Sequence, residues 1–271
     1  MRSCTSQRHR KQTPMPQKFT ADRRNQLAQI VLSEGRVTVA DAAERFGVSR
    51  ETIRKDLLAL GREGLVGKSS GGAMAKKPLV ERPMLDKQTE NSRAKRAVAL
   101  RAAQMIPDGS SVLLDAGSTT LALAEVLAER SGLTIFTHSI GNLHALELSD
   151  NNVFVFGGLL DKRSMLFMGS WTNAQLSTIK TDFSFLGTDG FLGFGGPTTS
   201  SYPEAEIKPR FLAAAARNVV LADSSKFRSS GFFQFATWGQ IDAFVTASGV
   251  SAADAQAIGQ RVELIVAGDG K

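Results

Sequence analysis

The stretch Thr38–Arg62, TVADAAERFGVSRETIRKDLLALGR, reads as two short helices joined by a tight turn. The first runs from Val39 to about Phe46. Thr38 and Asp41 open it like a capping box, with Asp in place of the usual Glu. Gly47 can take the left-handed conformation that ends a helix, and Val48 can fold back onto its last turn. Ser49 is a good cap for the second helix. There Ile53, Leu57 and Leu60 recur at helical spacing and form an inner face. Arg50, Glu51, Arg54 and Lys55 fall on the other face. An apolar inner side with a basic, hydrogen-bonding outer side is what a helix needs to enter the DNA major groove. An ordinary helical hairpin with a solvated charged face is the plainer reading of the same pattern.

The flanks favour the first reading. Before the pair, Phe19–Ser33 has Leu27, Ile30 and Val31 at helical spacing, Thr20 as a cap and Glu34-Gly35 as a stop. After it, LVGKSSGGAM reads as a small β-ribbon: Leu65-Val66, a polar turn, then Ala73-Met74. Three helices and a hairpin make a winged helix-turn-helix. Arg50, Glu51 and Arg54 are the candidates for base edges. Ser49, Thr52, Lys55 and Lys68 are the candidates for phosphates, with Ser69 and Ser70 beside Lys68 on the wing.

Charge is divided along the chain in the same sense. Over 271 residues the net charge is +7, yet residues 1–80 hold 16 Lys/Arg against 7 Asp/Glu, and the remainder is slightly acidic. A basic N-terminal module for a polyanion is joined to a body with another task. At 42% hydrophobic residues the chain can bury a core. No apolar run approaches a membrane span, and no signal-peptide pattern is present. The single cysteine, Cys4, excludes an internal disulfide framework and disfavours a thiolate metal site. A reducing, cytoplasmic setting is expected. Residues 1–18 lack apolar periodicity and read as a disordered basic tail, with a weak likeness to a transit peptide. Translation could begin at Met1 or at Met15. The expected division is a winged helix-turn-helix over 19–75, a polar linker over 76–90 and a second domain over 91–271.

From Ser111 onward short apolar runs alternate with helical patterns: VLLDAG, LTIFTH, VFVFGG, FSFLG, NVVLAD, DAFVTA and VELIVA are the strands. A helix is expected from about Glu204 to Arg217. This is an α/β domain with a largely parallel sheet. Ligands bind such sheets at the carboxyl ends of the strands. Four polar turns fall there or at a helix start. Asp115, Gly117, Ser118, Thr119 and Thr120 offer a Gly and hydroxyls at a helix N-terminus, either an anion cradle or simple capping. Asp189, in Gly187–Gly190, can accept from sugar hydroxyls or hold a turn. Glu204 opens a helix. Lys226, in Asp223–Lys226, can meet a phosphate or a carboxylate. The loop after VLLDAG is neither a Walker A nor a dinucleotide fingerprint. His9, His138 and His144 have no metal spacing and form no triad. No metal, cofactor or catalytic residue is expected.

Taken together, VSRETIRKDL, the GGA wing, DAGSTT, Gly157-Gly158, GTDGF, EAEIK and LADSSKF resemble the DeoR family of bacterial transcriptional regulators, from about Thr20 to Val266. The resemblance implies a C-terminal domain akin to ribose-5-phosphate isomerase that senses a phosphorylated sugar without turning it over. A phosphate would sit on Gly117–Thr120, with Asp189, Glu204 and Lys226 around the sugar. It further implies a homo-oligomeric repressor of sugar or polyol catabolism genes that is released from its DNA operator by the ligand. The alternative is a sugar-phosphate isomerase with an accessory DNA module. The chain departs from the family pattern at Gly67 and Ser70 in the wing, where Arg and His are usual, at His138, where Asn is usual, and over FGGPTTSSYP.

Overall fold

The computed structural model of the chain describes residues 23–24, 26–28, 30–31, 36–62, 66–69, 71–75, 84–191 and 193–268. The tail 1–18, the Thr20 cap, the Glu34-Gly35 stop, Ser70 and the side chain of Lys68 lie outside them. The chain forms two compact units, divided between Leu79 and Val80.

In the first unit, residues 23–24, 26–28 and 30–31 are helical, with Leu27 and Val31 fully buried and Ile30 partly so. A strand the sequence did not reveal follows, β1 (Arg36–Thr38). Three residues are too few for an alternating pattern to be visible. Next come the two helices Val39–Phe46 and Arg50–Arg62, then β2 (Val66–Ser69) and β3 (Gly72–Ala75). The three strands make an antiparallel sheet in the order β1-β3-β2. Gly72 is required there, because a Cβ on it would overlap the carbonyl of Val37 on the neighbouring strand.

The turn between the helices behaves as its residues dictate. Gly47 sits at φ 61°, in the left-handed region. The Val48 amide returns to the Ala43 carbonyl at 3.1 Å. Thr38 Oγ1 accepts from the Asp41 amide at 3.1 Å, the N-cap half of the expected capping box, and donates to the Asp41 carboxylate at 2.8 Å, so the carboxylate meets the hydroxyl. Ile53, Leu57 and Leu60 point into the core as expected. So does Asp56, on the same helix, where it is 1% exposed. Its two oxygens accept from Arg23 Nε at 2.7 Å and Arg24 Nε at 2.8 Å, which pins the first helical residues to the second helix of the pair.

The second unit is built on a seven-stranded parallel sheet. Its strands are β4 (Ser111–Leu114), β5 (Thr134–Thr137), β6 (Asn152–Val155), β9 (Thr181–Gly187), β11 (Ala215–Ala222), β13 (Ala243–Ala247) and β14 (Glu263–Ala267). Two antiparallel pairs lie outside it: β7 (Leu159–Asp161) with β8 (Leu166–Met168), and β10 (Thr198–Thr199) with β12 (Phe233–Gln234). The sheet order is β14-β13-β11-β9-β4-β5-β6. Both faces are covered. Val112, Leu114 and Phe185 pack with Val98, Leu123 and Leu127 from the helices Ser92–Ala103 and Ser118–Leu127. Leu113, Leu186 and Val220 pack on the other side with Phe211 and Phe244. Burial on both faces is why these strands read as continuous apolar runs.

Two sequence expectations need correction. The helix expected over Glu204–Arg217 runs Tyr202–Ala214, and the chain passes directly into β11, whose NVVLA core pulls Ala215–Arg217 into extended conformation beside β9. The stretch 76–90, read as a polar linker, contains a helix over Met84–Thr89. Interactions of this helix within the second unit, described below, outweigh its polar composition.

Candidate functional site

The outer face of the helix Arg50–Arg62 collects the expected DNA-facing residues. Ser49 Oγ accepts from the Thr52 amide at 3.1 Å, and the two hydroxyls lie 2.9 Å apart. This cap starts the helix and leaves Arg50, Glu51, Arg54 and Lys55 exposed on one side. Arg54 and Glu51 approach at 3.6 Å with both side chains more than half exposed, a contact too weak to withhold either from a partner. Lys68 belongs to β2, the first strand of the wing, and so comes from a different element.

In the second unit the sheet reverses its progression between β4 and β9. The chain moves from β4 out to β5 and β6, then returns to β9 and proceeds to β11, β13 and β14. A crevice opens at such a switch point, at the carboxyl ends of the strands. Asp115 follows β4, His138 follows β5, Thr188 and Asp189 follow β9, and Asp223 follows β11.

Asp115 is fully buried. Its carboxylate accepts from the Gly187 amide at 3.0 Å and from the ammonium of Lys208, itself fully buried in the helix Tyr202–Ala214. The same ammonium donates to the Gly187 carbonyl at 3.2 Å, lies 3.6 Å from Glu204 and stands 5.1 Å over the ring of Phe235. Burial alone would raise the Asp115 pKa, but the Lys208 charge and the hydrogen bonds outweigh it and hold the carboxyl below its usual range. For Lys208 burial would lower the pKa, and the Asp115 and Glu204 carboxylates outweigh it. Both groups are therefore charged. His138 is also fully buried. Its Nδ1 faces the Phe167 carbonyl at 3.1 Å and its Nε2 faces the Ala116 amide at 3.3 Å. The same Nε2 also lies 3.4 Å from the Asp115 carboxylate, so the ring ties the Phe167 carbonyl to the Asp115 loop. Asn142 Nδ2 donates to the Asp115 carbonyl at 2.9 Å. These side chains fix the loop that begins at Asp115.

That loop enters the helix Ser118–Leu127 through Gly117, at φ 147°. This is a region that residues with a Cβ avoid. The Leu121 amide closes on the Gly117 carbonyl at 2.8 Å, so the amides of Ser118, Thr119 and Thr120 precede the first intrahelical bond. They are the ready anion-binding groups of a helix N-terminus. Two of the expected contacts are corrected. The Thr120 hydroxyl is fully buried and donates to Gly117 O at 2.9 Å, and the Asp115 carboxylate is enclosed by Gly187 and Lys208. Both act on the loop from behind. Ser118 is partly exposed, whereas Thr119 is nearly buried.

Across the switch point, Asp189 Oδ2 accepts from the Ser200 amide at 2.8 Å and its Oδ1 meets Lys87 Nζ at 3.4 Å. Burial would raise its pKa, and the charges of Lys87 and Lys226 hold it below the usual range. Glu204 accepts from Thr199 Oγ1 at 2.9 Å. Lys226 lies on the short 3-10 helix Ser224–Arg228, which Asp223 caps by accepting from the Ser225 amide at 2.9 Å. The sequence reading missed Lys208, Lys87 and Asn142, and saw in His138 only a residue without metal spacing at a position where Asn is usual. Lys208 had one local signal: it follows Glu204 by four positions, a pairing distance on a helix. No group of three or more His, Cys, Asp or Glu among the described residues could hold a metal ion.

An exposed recognition face on one unit and a polar crevice at a sheet switch point on the other define a DNA-binding regulator with a small-molecule sensor. Residues 23–78 match the DeoR-like helix-turn-helix domain, and residues 90–248 match the DeoR C terminal sensor domain. The chain belongs to the DeoR family of transcriptional regulators. It is 32% identical over 227 residues to the HTH-type transcriptional regulator GlpR of Haloferax volcanii, covering 83% of this chain and 89% of that one. It is 28% identical over 225 residues to the glycerol-3-phosphate regulon repressor of Escherichia coli K12, with the same coverage of 83% and 89%. Among solved structures, ribose 5-phosphate isomerase A of Methanocaldococcus jannaschii aligns with 51% of this chain and 55% of its own, at 19% identity and a TM-score of 0.36.

Proposed function

We propose that this regulator is a repressor of carbohydrate or polyol catabolism genes and leaves its operator when a phosphorylated sugar or polyol occupies the switch-point crevice. The winged helix-turn-helix spans about 19–75, the connection 76–90 and the sensor 91–271. Arg50, Glu51 and Arg54 meet base edges, and Ser49, Thr52, Lys55 and Lys68 hold phosphates. In the sensor the phosphate lies on the amides of Gly117–Thr120 and the hydroxyls of Ser118 and Thr119, and Asp189, Glu204 and Lys226 surround the sugar. Asp115 contributes by holding that loop through its backbone and Lys208. Two-fold operators favour a homo-oligomer, which acts in the cytoplasm on the nucleoid.

One observation carries this reading: Asp189 after β9, Lys226 after β11 and Glu204 of the helix Tyr202–Ala214 lie at the carboxyl ends of adjacent strands, and the first-turn amides of Ser118–Thr120 follow β4, the neighbour of β9. A ligand with both hydroxyls and a dianion answers that arrangement. A thermal-shift screen of sugar and polyol phosphates tests it, because a ligand of the folded state raises the melting point. Glycerol 3-phosphate enters the screen first, since one relative is named for that regulon. The double variant Thr119→Ala with Lys226→Ala should keep operator binding and lose release by ligand. Retained release would refute the pocket assignment, and turnover of ribose 5-phosphate by the purified protein would refute the sensor reading.

A further inference from the structure

The segment Met84–Asn91 follows, in sequence, the residues that join the two units. It is tied to the acids at the carboxyl ends of two strands. Lys87 Nζ meets Asp189, two residues past β9, at 3.4 Å. Asn91 Nδ2 donates to Asp223 Oδ1, one residue past β11, at 3.2 Å. From below, the nearly buried ammonium of Lys95 donates to the carbonyls of Lys87 and Glu90, the latter at 2.6 Å. Asn91 stands at φ 52°, in the left-handed region that Asn tolerates better than most residues, between the helices Met84–Thr89 and Ser92–Ala103.

Asp189 is the acceptor that the segment and a ligand share. A polyol presents hydroxyl donors and needs carboxylate or carbonyl acceptors. Asp115 is enclosed. Asp189 Oδ2 is engaged by Ser200, so its Oδ1, which faces Lys87, is the oxygen a hydroxyl would take. Charge-assisted N–H···O bonds are usually about 2.7–2.9 Å, so the 3.4 Å contact is a loose one. The segment and a polyol therefore call on the same acceptor.

We propose that Met84–Asn91 is a strap that a polyol ligand displaces, with Lys87 on Asp189 as the contact exchanged, and that its release lowers DNA affinity. The identity of the displacing ligand rests on the sugar-phosphate reading above; the strap itself does not. The ligand must favour the undocked strap to regulate, which the shared Asp189 supplies.

The test uses the full chain without ligand and a DNA fragment selected by the wild-type protein from a random-sequence pool. Lys87→Met and the double variant Lys87→Met with Asn91→Gly should raise hydrogen–deuterium exchange in 84–91 at least ten-fold. Their DNA affinity should fall at least five-fold, the low end of couplings between sites. Lys87→Arg, which keeps a cation, should restore both, which separates release from misfolding. Lys162→Met, at an exposed lysine between β7 and β8, should leave both unchanged. Unchanged exchange in the double variant, or faster exchange with unchanged DNA affinity, would overturn the proposal. Strap variants that lose DNA affinity beside a wild type that no phosphorylated polyol affects would instead overturn the sugar-phosphate reading and keep the strap.

Discussion

Replacing Lys208 with Met removes a buried ammonium and leaves Asp115 behind it. Met is similar in length and apolar, so the volume is nearly kept. The carboxylate, 0% exposed, then keeps the Gly187 amide and the His138 ring, 3.4 Å away, and loses the Lys208 charge. Removing one partner of a buried pair costs about 3–5 kcal/mol. A second estimate comes from protonation. The variant can relieve the charge by holding Asp115 neutral, and at pH 7 that costs about 1.36 kcal/mol for each unit above an unfolded pKa of about 3.9, roughly 4 kcal/mol. The two estimates agree. The sign of the pH dependence follows. In the wild type the Asp115 pKa is lowered, so its contribution is present above the unfolded value and is lost only in acid. In Lys208→Met the pKa is raised by burial, so stability is best below the unfolded pKa and falls as pH rises towards the folded one. The deficit should shrink from about 4 kcal/mol at pH 7 to about 1.5 kcal/mol at pH 5. Asp115→Asn with Lys208→Met keeps an oxygen for the Gly187 amide and removes both charges; it should recover most of the loss and show no such pH dependence. Urea unfolding followed by tryptophan fluorescence is the assay. Both tryptophans, Trp171 and Trp238, lie in the second unit, so the signal reports that unit. A loss under about 1 kcal/mol at pH 7, or a deficit as large at pH 5, would refute the account of the pair.

Three further outcomes are expected. Asp56→Ala should destabilise the first unit by about 1–3 kcal/mol, because Arg23 and Arg24 lose a shared buried acceptor; thermal melting monitored by loss of operator binding measures it. Gly190→Ala should cost about 2 kcal/mol or more, since a Cβ at φ 125° would overlap the Ser229 carbonyl and strain the loop that carries Asp189; urea midpoints at unchanged slope would show it. In gel-shift titrations Arg54→Ala should cost about 1–3 kcal/mol and relax preference at one operator position, whereas Lys55→Ala should weaken all sequences alike and reduce the salt dependence.

What the sequence made legible was local. Thr38, Gly47 and Ser49 punctuate the helix pair within a few residues of where they act, and Ile53, Leu57 and Leu60 announce the buried face by spacing alone. The parallel strands show as apolar runs because both faces are covered. The polar contacts inside the core left no such mark. Asp56 stands among Arg54, Lys55 and Leu57 and reads as one more surface charge, yet its partner Arg23 is 33 positions away. Asp115 and Lys208 are 93 positions apart, and only the folded sheet brings them together. Lys87 sits in a polar stretch whose composition argues for a linker; its helix forms where Lys95 takes the Lys87 and Glu90 carbonyls and Asn91 reaches Asp223. The four strand-end turns were visible one by one. That Thr120 and Asp115 are turned inward is visible only in the folded unit.

The strand order of the second unit also sets a timetable. β4 is a central strand, but one of its two neighbours, β9, is made much later: Ser111 at the start of β4 bonds to Asp182 on β9, 71 positions on. The outermost strand on that side, β14, comes last. The first unit closes over far shorter separations, such as β2 on β3, where Ser69 stands opposite Gly72. Local contacts form fast and distant ones slowly, and domains fold as units from the N-terminus during synthesis. Each newly made copy therefore passes through an interval in which its first unit is folded and the sheet of its second unit is still incomplete.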